Sequence, residues 1–210
     1  MSLPPLATTA DLEDALQRTL DPGQADLALR RASARVRKWC KQTLTLVEND
    51  TVVLPGNTRV LWLPQRPLLV DATHPLTVVE MFGITGAEYT AVEGRDFTRL
   101  GSSLTRGQAW WAPPTRLMGW PWMRPVGLWS DRVQVTYSHG YTEVPDDIVD
   151  VVLDLAQMSM TNPQGLRSES IDDYSRTFAA ETIGGAQLTD QHKEDLRPYR
   201  VRSFNVVPTT

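Results

Sequence analysis

Ala25, Leu29, Ala32, Val36 and Trp39 recur at spacings of four, three, four and three, the signature of one buried stripe on an amphipathic helix. That spacing predicts a helix over about residues 26–40. A shorter helix is expected before it, over about 9–20, where Leu12, Leu16 and Leu20 repeat every fourth residue. Thr9 gives it a partial cap, Asp11, Glu13 and Asp14 suit its positive end, and Asp21-Pro22-Gly23 breaks it. Helical spacing returns after Val144-Pro145-Asp146-Asp147, where proline fits a first turn and the aspartates complement the dipole. Ile148, Val151, Val152, Leu155 and Met158 then form a wide apolar stripe that ends at Asn162-Pro163-Gln164-Gly165. A polar stretch over 166–185 and a short helix over about 189–196 complete the pattern.

Between these helices the period changes. Short β-branched runs at 51–54, 59–63, 76–82, 88–92 and 132–137 are separated by glycine and proline. Alternation is clearest at 132–137, with Val133, Val135 and Tyr137 on one face and Arg132, Gln134 and Thr136 on the other. Connections such as Pro55-Gly56-Asn57 and Gly83-Ile84-Thr85-Gly86 are too short for crossover helices, so the sheet is expected to be antiparallel. The fold class is therefore α+β, with helical segments (9–43 and 144–196) on either side of an antiparallel β-rich region (44–138).

Composition narrows the class further. With 210 residues, 41% apolar and 22% charged, the chain has material for a sizeable core, which excludes wholesale disorder. A single cysteine, Cys40, excludes an internal disulfide and a cysteine-rich metal site. The start has neither a charged n-region nor an apolar h-region, and no apolar run reaches the roughly 18 residues of a membrane span. A soluble, cytosolically made chain without membrane contact is expected. Five tryptophans (Trp110, Trp111, Trp120, Trp122, Trp129) fall within 20 residues beside Pro113, Pro114, Pro121 and Pro125, a density no regular helix accommodates. Two readings stand for this stretch: aromatic anchors of an interface, or a loop packed on its own sheet.

Chemistry is harder to find. His74, His139 and His192 lie far apart, in no arrangement that suits zinc, and His139 reads as a solvated turn histidine. Cys40 has Arg37, Lys38 and Lys41 nearby to stabilise a thiolate, but a half-buried structural cysteine fits its helix-end position better. Nucleophile-elbow, phosphate-loop and dinucleotide motifs are absent. Asp146-Asp147 is explained by its helix start. No enzyme, metal or cofactor is expected.

Charge is uneven. Residues 1–142 carry a net +2, residues 143–195 a net −9 and the last fifteen a net +3, within a formal charge of −4 that argues against a surface built throughout for nucleic acid. Arg30, Arg31, Arg35, Arg37, Lys38 and Lys41 place six positive charges in twelve residues without an acid, and Arg31, Arg35 and Lys38 share one helix side. Three partners fit that side: solvent, DNA phosphates, or the acidic segment of a neighbouring copy. The last is the head-to-tail arrangement that segregated charge suits.

Read in order, DLEDALQRTLDPGQADLALRRASARVRKWCKQTL, VQVTYSHGYTEVPDDIVDVVLDLAQMSMTNPQG, LRSESIDDYSRTFAAE and LTDQHKEDLRPYR resemble the adaptor-type head-to-tail connector proteins of long-tailed bacteriophages. The resemblance covers roughly residues 8–46 and 130–200. It is carried above all by Thr136-Tyr137-Ser138-His139-Gly140-Tyr141 leading through Val144-Pro145-Asp146-Asp147-Ile148, and by Arg167-Ser168-Glu169-Ser170-Ile171 running to Asp173-Tyr174-Ser175. It implies a small helical bundle (9–43 and 144–196) with the antiparallel β-rich region (44–138) inserted and an extended C-terminal arm (197–210), residues 1–200 forming one domain, in a structural virion protein at the head–tail junction, made in the bacterial host cytoplasm. The implied assembly is a ring, usually of twelve subunits, that joins the portal protein to the tail or a stopper protein and extends a channel through which genomic DNA passes unread. The implied portal contact is the C-terminal arm around Arg197, Tyr199, Arg200 and Arg202. On the residue-level reading that basic tip has too few apolar residues to order before binding. Arg31, Arg35 and Lys38 are then subunit or DNA-channel contacts, and Trp110, Trp111, Trp120 and Trp122 subunit or tail contacts. The alternative is a DNA-binding module using the basic helix 26–41.

Overall fold

The computed structural model describes residues 3–83, 86–107, 127–161, 168–171, 174–177 and 187–201. The chain divides into two compact units, Met1–Thr45 with Tyr141–Thr210, and Leu46–Gly140. In sequence, the second unit lies between the two halves of the first.

The first unit is helical. Its first helix, α1 (Thr9–Leu16), starts from Thr8, whose hydroxyl accepts the Asp11 N–H at 3.2 Å while the Asp11 carboxylate accepts the Thr8 N–H at 2.8 Å. It is four residues shorter than the leucine repeat suggests. Gln17 turns left-handed (φ 51°), and the Leu20 N–H is held by the Glu13 carboxylate at 2.9 Å, so Leu20 is buried from the segment beyond the helix. Asp21-Pro22-Gly23 does not merely separate the two helices. It starts α2 (Pro22–Cys40), with Asp21 capping the Gln24 N–H at 3.0 Å and proline at the first position, where its missing N–H costs nothing.

Ala25, Ala28, Leu29, Ala32, Ser33 and Val36 of α2 are buried, and so are Ile148, Val151, Val152, Leu155 and Ala156 of α3 (Asp146–Thr161). These stripes pack against each other. Alanine at three of the α2 positions keeps that face low, and Ser33 is tolerated inside because its hydroxyl accepts the Leu6 N–H at 2.9 Å. Each fully buried leucine or isoleucine contributes about 1.5–3 kcal/mol relative to exposure. α4 (Asp190–Asp195) follows a second capping box, with Thr189 and His192 as its partners. Within 166–185, read as a polar stretch, Ser168–Ile171 and Tyr174–Thr177 pair as antiparallel strands.

In the second unit every pairing between the named strands is antiparallel among the described residues, with one isolated parallel bridge between Glu93 and Phe97. We number its strands β1 (Val47–Pro55), β2 (Val60–Trp62), β3 (Leu68–Leu69), β4 (Thr77–Phe82), β5 (Ala87–Ala91), β6 (Phe97–Leu100), β7 (Ser103–Arg106) and β8 (Arg132–His139). One sheet runs β1-β8-β4-β5 with β3 also on β8, and a second runs β2-β7-β6. Val133, Val135 and Tyr137 are buried, as their alternation predicts. Leu61, Phe97, Leu104 and Trp129 join them in one core, with the Trp129 indole N–H donating to the Leu104 carbonyl at 3.2 Å. Gly56 is required by proximity, since a Cβ there would lie 1.6 Å from the Ser130 carbonyl oxygen.

Candidate functional site

Two ion systems stand out, one in each unit. In the β unit Glu80, Asp96 and Arg106 are all nearly inaccessible. Arg106 Nε lies 2.9 Å from Glu80 Oε1, and its guanidinium also donates to the Asp96 carbonyl and sits 5.5 Å from the Trp129 ring centre. Glu80 accepts the Ser130 N–H at 3.1 Å; Asp96 accepts from the Tyr89 hydroxyl and the Val92 N–H, each at 2.9 Å. Burial pushes the Asp96 pKa up, yet the Val92 N–H, Tyr89, Arg95 and Arg106 outweigh it and leave the carboxyl below its ordinary value. The charges of this network are paired with one another inside the unit, which makes it a structural fastener.

The second system is open. On α2 the six clustered cations divide by environment. Arg30 is held by Asp26 at 2.9 Å, and Arg37 donates to the carbonyls of Thr43 at 2.7 Å and Pro4 at 2.6 Å, its pKa lowered by burial. Arg31 and Lys38 remain exposed and Arg35 is half-buried beside them. α2 ends at Lys41 in a left-handed turn (φ 59°), which puts a fourth cation beyond the helix end.

The expectation that the C-terminal tip orders only on binding fails for its first five residues. Leu196 is fully buried, a 3₁₀ turn follows at Arg197–Tyr199, and the backbone then closes on α2. Gln42 donates to the Tyr199 carbonyl at 2.8 Å and the Val201 N–H donates to the Cys40 carbonyl at 3.0 Å. Tyr199 stands edge-on to Tyr141 at 6.0 Å, and its hydroxyl donates to Asp147 at 3.1 Å. Apolar and aromatic contacts that lie far away in sequence thus supply what the tip itself lacks.

Docking of the tip builds the site. Arg200 stacks over Trp39 at 4.9 Å, and with Arg35, Lys38, Lys41, Gln187 and Leu188 it encloses a groove of about 510 Å³. Four cations and an aromatic side chain give this surface a concentrated positive charge. Cys40, next to Trp39 in the chain, is fully buried, and burial pushes its thiol up to about 12 against a smaller opposing pull from Arg200, which disfavours the thiolate.

Of the sequence-expected residues, Arg35, Lys38 and Arg200 come together in the groove. Arg31 lies on α2 outside its lining, and Arg197 is turned to Glu194 at 2.9 Å. Arg202 and Trp110, Trp111, Trp120 and Trp122 lie outside the described residues. The fifth tryptophan, Trp129, is core. Trp39, Lys41, Gln187 and Leu188 were missed as site residues, and only Lys41 carried a signal, as a member of the basic run.

On the same unit the exposed side of α3 bears Asp146, Asp150 and Asp154 at successive i, i+4 positions. Asp154 faces His192 Nε2 at 3.5 Å. His139, expected in a solvated turn, is instead buried on β8, its Nε2 3.1 Å from Asp50 and its ring 5.1 Å from that of Tyr137. Among the described residues no group of three metal-ligating side chains occurs, and no helix is long and apolar enough to cross a membrane.

No family model and no curated protein matches the chain. Among solved structures it is similar to a chain of the "Neck of empty GTA particle computed with C6 symmetry", with 18% identity over 99% of this chain and 97% of that one and a TM-score of 0.48. At that level of likeness neither fold in detail nor role transfers from one chain to the other.

Proposed function

We propose that this chain is a structural virion protein, a ring-forming head-to-tail adaptor that acts by assembly and not by catalysis. The observation that carries the reading is the placement of opposite charges on one unit: a four-cation groove at the end of α2 and a carboxylate stripe along the exposed side of α3. Surfaces that differ and complement each other join copies head to tail, and such contacts close into rings or run on as filaments. The ordered sequence blocks that resemble phage connector proteins point the same way, and they include both charged helices. The place of the similar chain in a particle's neck is a statement about that chain; the reading here stands on the residues of this one.

In the full reading residues 1–200 form one connector domain and twelve copies surround a channel through which DNA passes without sequence recognition. Residues 197–210 are the portal-binding arm, with Arg197, Tyr199, Arg200 and Arg202 as its contacts. Trp110, Trp111, Trp120 and Trp122 face a neighbouring subunit or the tail-side stopper. No cofactor takes part. Negative-stain imaging of the purified chain at low salt, alone and with its portal protein, tests this. Rings are expected, bound coaxially to the portal where it is present. A chain that stays monomeric at every concentration and ignores the portal overturns the reading.

A further inference from the structure

We infer that the outer face of the β1-β8-β4-β5 sheet pairs with the same face of a second copy of this chain, about a two-fold axis that runs along β4. The contact differs in symmetry from head-to-tail joining and does not rest on it.

The sheet has two unlike faces. Val78, Glu80, Val133, Val135 and Tyr137 are buried on the core side, while their alternate neighbours on β4 and β8 stay accessible. An antiparallel sheet open on one side ordinarily shows polar residues there, and lysine is a common guard against unwanted pairing. Residues 46–140 contain no lysine. The accessible side carries threonine, valine, methionine and glutamine, with Arg132 and Glu88 as its charges on β8 and β5. Depletion of lysine is a mark of surfaces that meet another protein.

The strand register makes this face complementary to itself. Arg132 on β8 and Glu88 on β5 are both register partners of Met81 on β4, one on each side. Gln134 and Thr90 flank Val79 in the same way. Directly opposed residues of an antiparallel ladder share a face, so each triplet is one row across the sheet. Neighbouring strands lie about 4.8 Å apart, which sets the arginine and the glutamate at equal distances from β4. A second copy laid on this face by a half-turn about β4 therefore places its Glu88 over Arg132 and its Arg132 over Glu88. Gln134 meets Thr90, and Val79 and Met81 meet their own counterparts. The two spacings agree by symmetry, because one row is superposed on itself reversed. Sheets packed face to face keep their strands within about 30° of each other, which an axis close to β4 satisfies.

Within its own chain Arg132 lies 4.0 Å from Asp131, with the two side chains 56% and 47% exposed. An ion pair that long and that open contributes little, so sharing Arg132 with a second copy costs little. Four strands at about 4.8 Å and five residues at about 3.4 Å cover roughly 300 Å² per copy, which makes the pair a weak and reversible one.

Cysteine linking in the full chain tests this. Val79 lies on the axis and Gln134 one strand away from it. With oxidised glutathione as oxidant, Val79→Cys should form a disulfide-linked dimer on non-reducing gels and Gln134→Cys should not. The unaltered chain, whose Cys40 is fully buried, is the control. Adding Arg132→Glu to Val79→Cys sets like charges against each other twice and should lower the yield of linked dimer roughly tenfold. Adding Glu88→Arg as well should restore it, because every facing pair is again of opposite sign. Restoration also shows that the variants are folded, with circular dichroism as a second check. No linking at 79, equal linking at 79 and 134, or a yield indifferent to charge reversal overturns the pairing. Each of those results leaves the ring reading standing, since that reading is decided by imaging with the portal.

Discussion

The two units treat charge in opposite ways. The β unit takes Glu80, Asp96 and Arg106 out of water and satisfies them against one another, the Ser130 N–H and the Tyr89 hydroxyl. The helical unit keeps its charges at the surface, sorted by sign, with cations around Trp39 and carboxylates along α3. A buried pair gives a unit internal definition and nothing to a partner, whereas sorted surface charges contribute little to stability and much to recognition. One unit therefore encloses its charges, and the other leaves them at the surface, where the proposed assembly would use them.

The contrast can be broken most directly at Arg106. Arg106→Met takes the guanidinium away from the buried Glu80 carboxylate, while Asp96 keeps Arg95 at 3.0 Å, and is expected to lower stability by about 3–5 kcal/mol, measured by urea denaturation. A loss below about 1 kcal/mol would mean that water reaches the network and that the two units differ less than their burial implies.

Acid acts on the same network with smaller effect. The Asp96 carboxyl lies below its ordinary value of 3.8 in the folded chain. The folded state thus binds its proton less readily than the unfolded state. The stability Asp96 contributes is fully present above 3.8 and is lost as pH falls through the lower folded value. Comparing acid denaturation of wild type with Asp96→Asn isolates this part: the wild-type curve should fall more steeply in that range, and parallel curves would remove Asp96 from the network.

The smallest change in stability is expected where the change in charge is largest. Reversing Arg31 and Lys38, both exposed on α2, should move the thermal midpoint by no more than about 0.5 kcal/mol equivalent. A loss of several kcal/mol would show that the basic side of α2 is part of the protomer's own framework and not a surface kept for a neighbour.

Much of the architecture was legible from spacing. The 25, 29, 32, 36 repeat located α2, and the alternation of Val133, Val135 and Tyr137 located β8 with the correct face inward. Strands β6 and β7 were not legible. Each is four residues long around Gly101-Ser102, and each carries an arginine, so neither shows an apolar alternation. Arg106 and Glu80 look like surface residues in any local window. Asp21-Pro22-Gly23 was read as a stop only, although the same three residues are also a start signal, because capping chemistry at a junction serves both directions.

Helices, strands with one wet face, and the sorting of acids from bases follow from the order of residues alone, because burial on a regular element leaves a local period and charge needs no partner to be counted. The groove required the fold. Gln42 and Tyr199, which hold its far wall in place, are 157 residues apart, and the stacking of Arg200 on Trp39 depends on the chain returning to the end of α2. Return paths are decided by the packing of whole elements, and no window of neighbouring residues contains them.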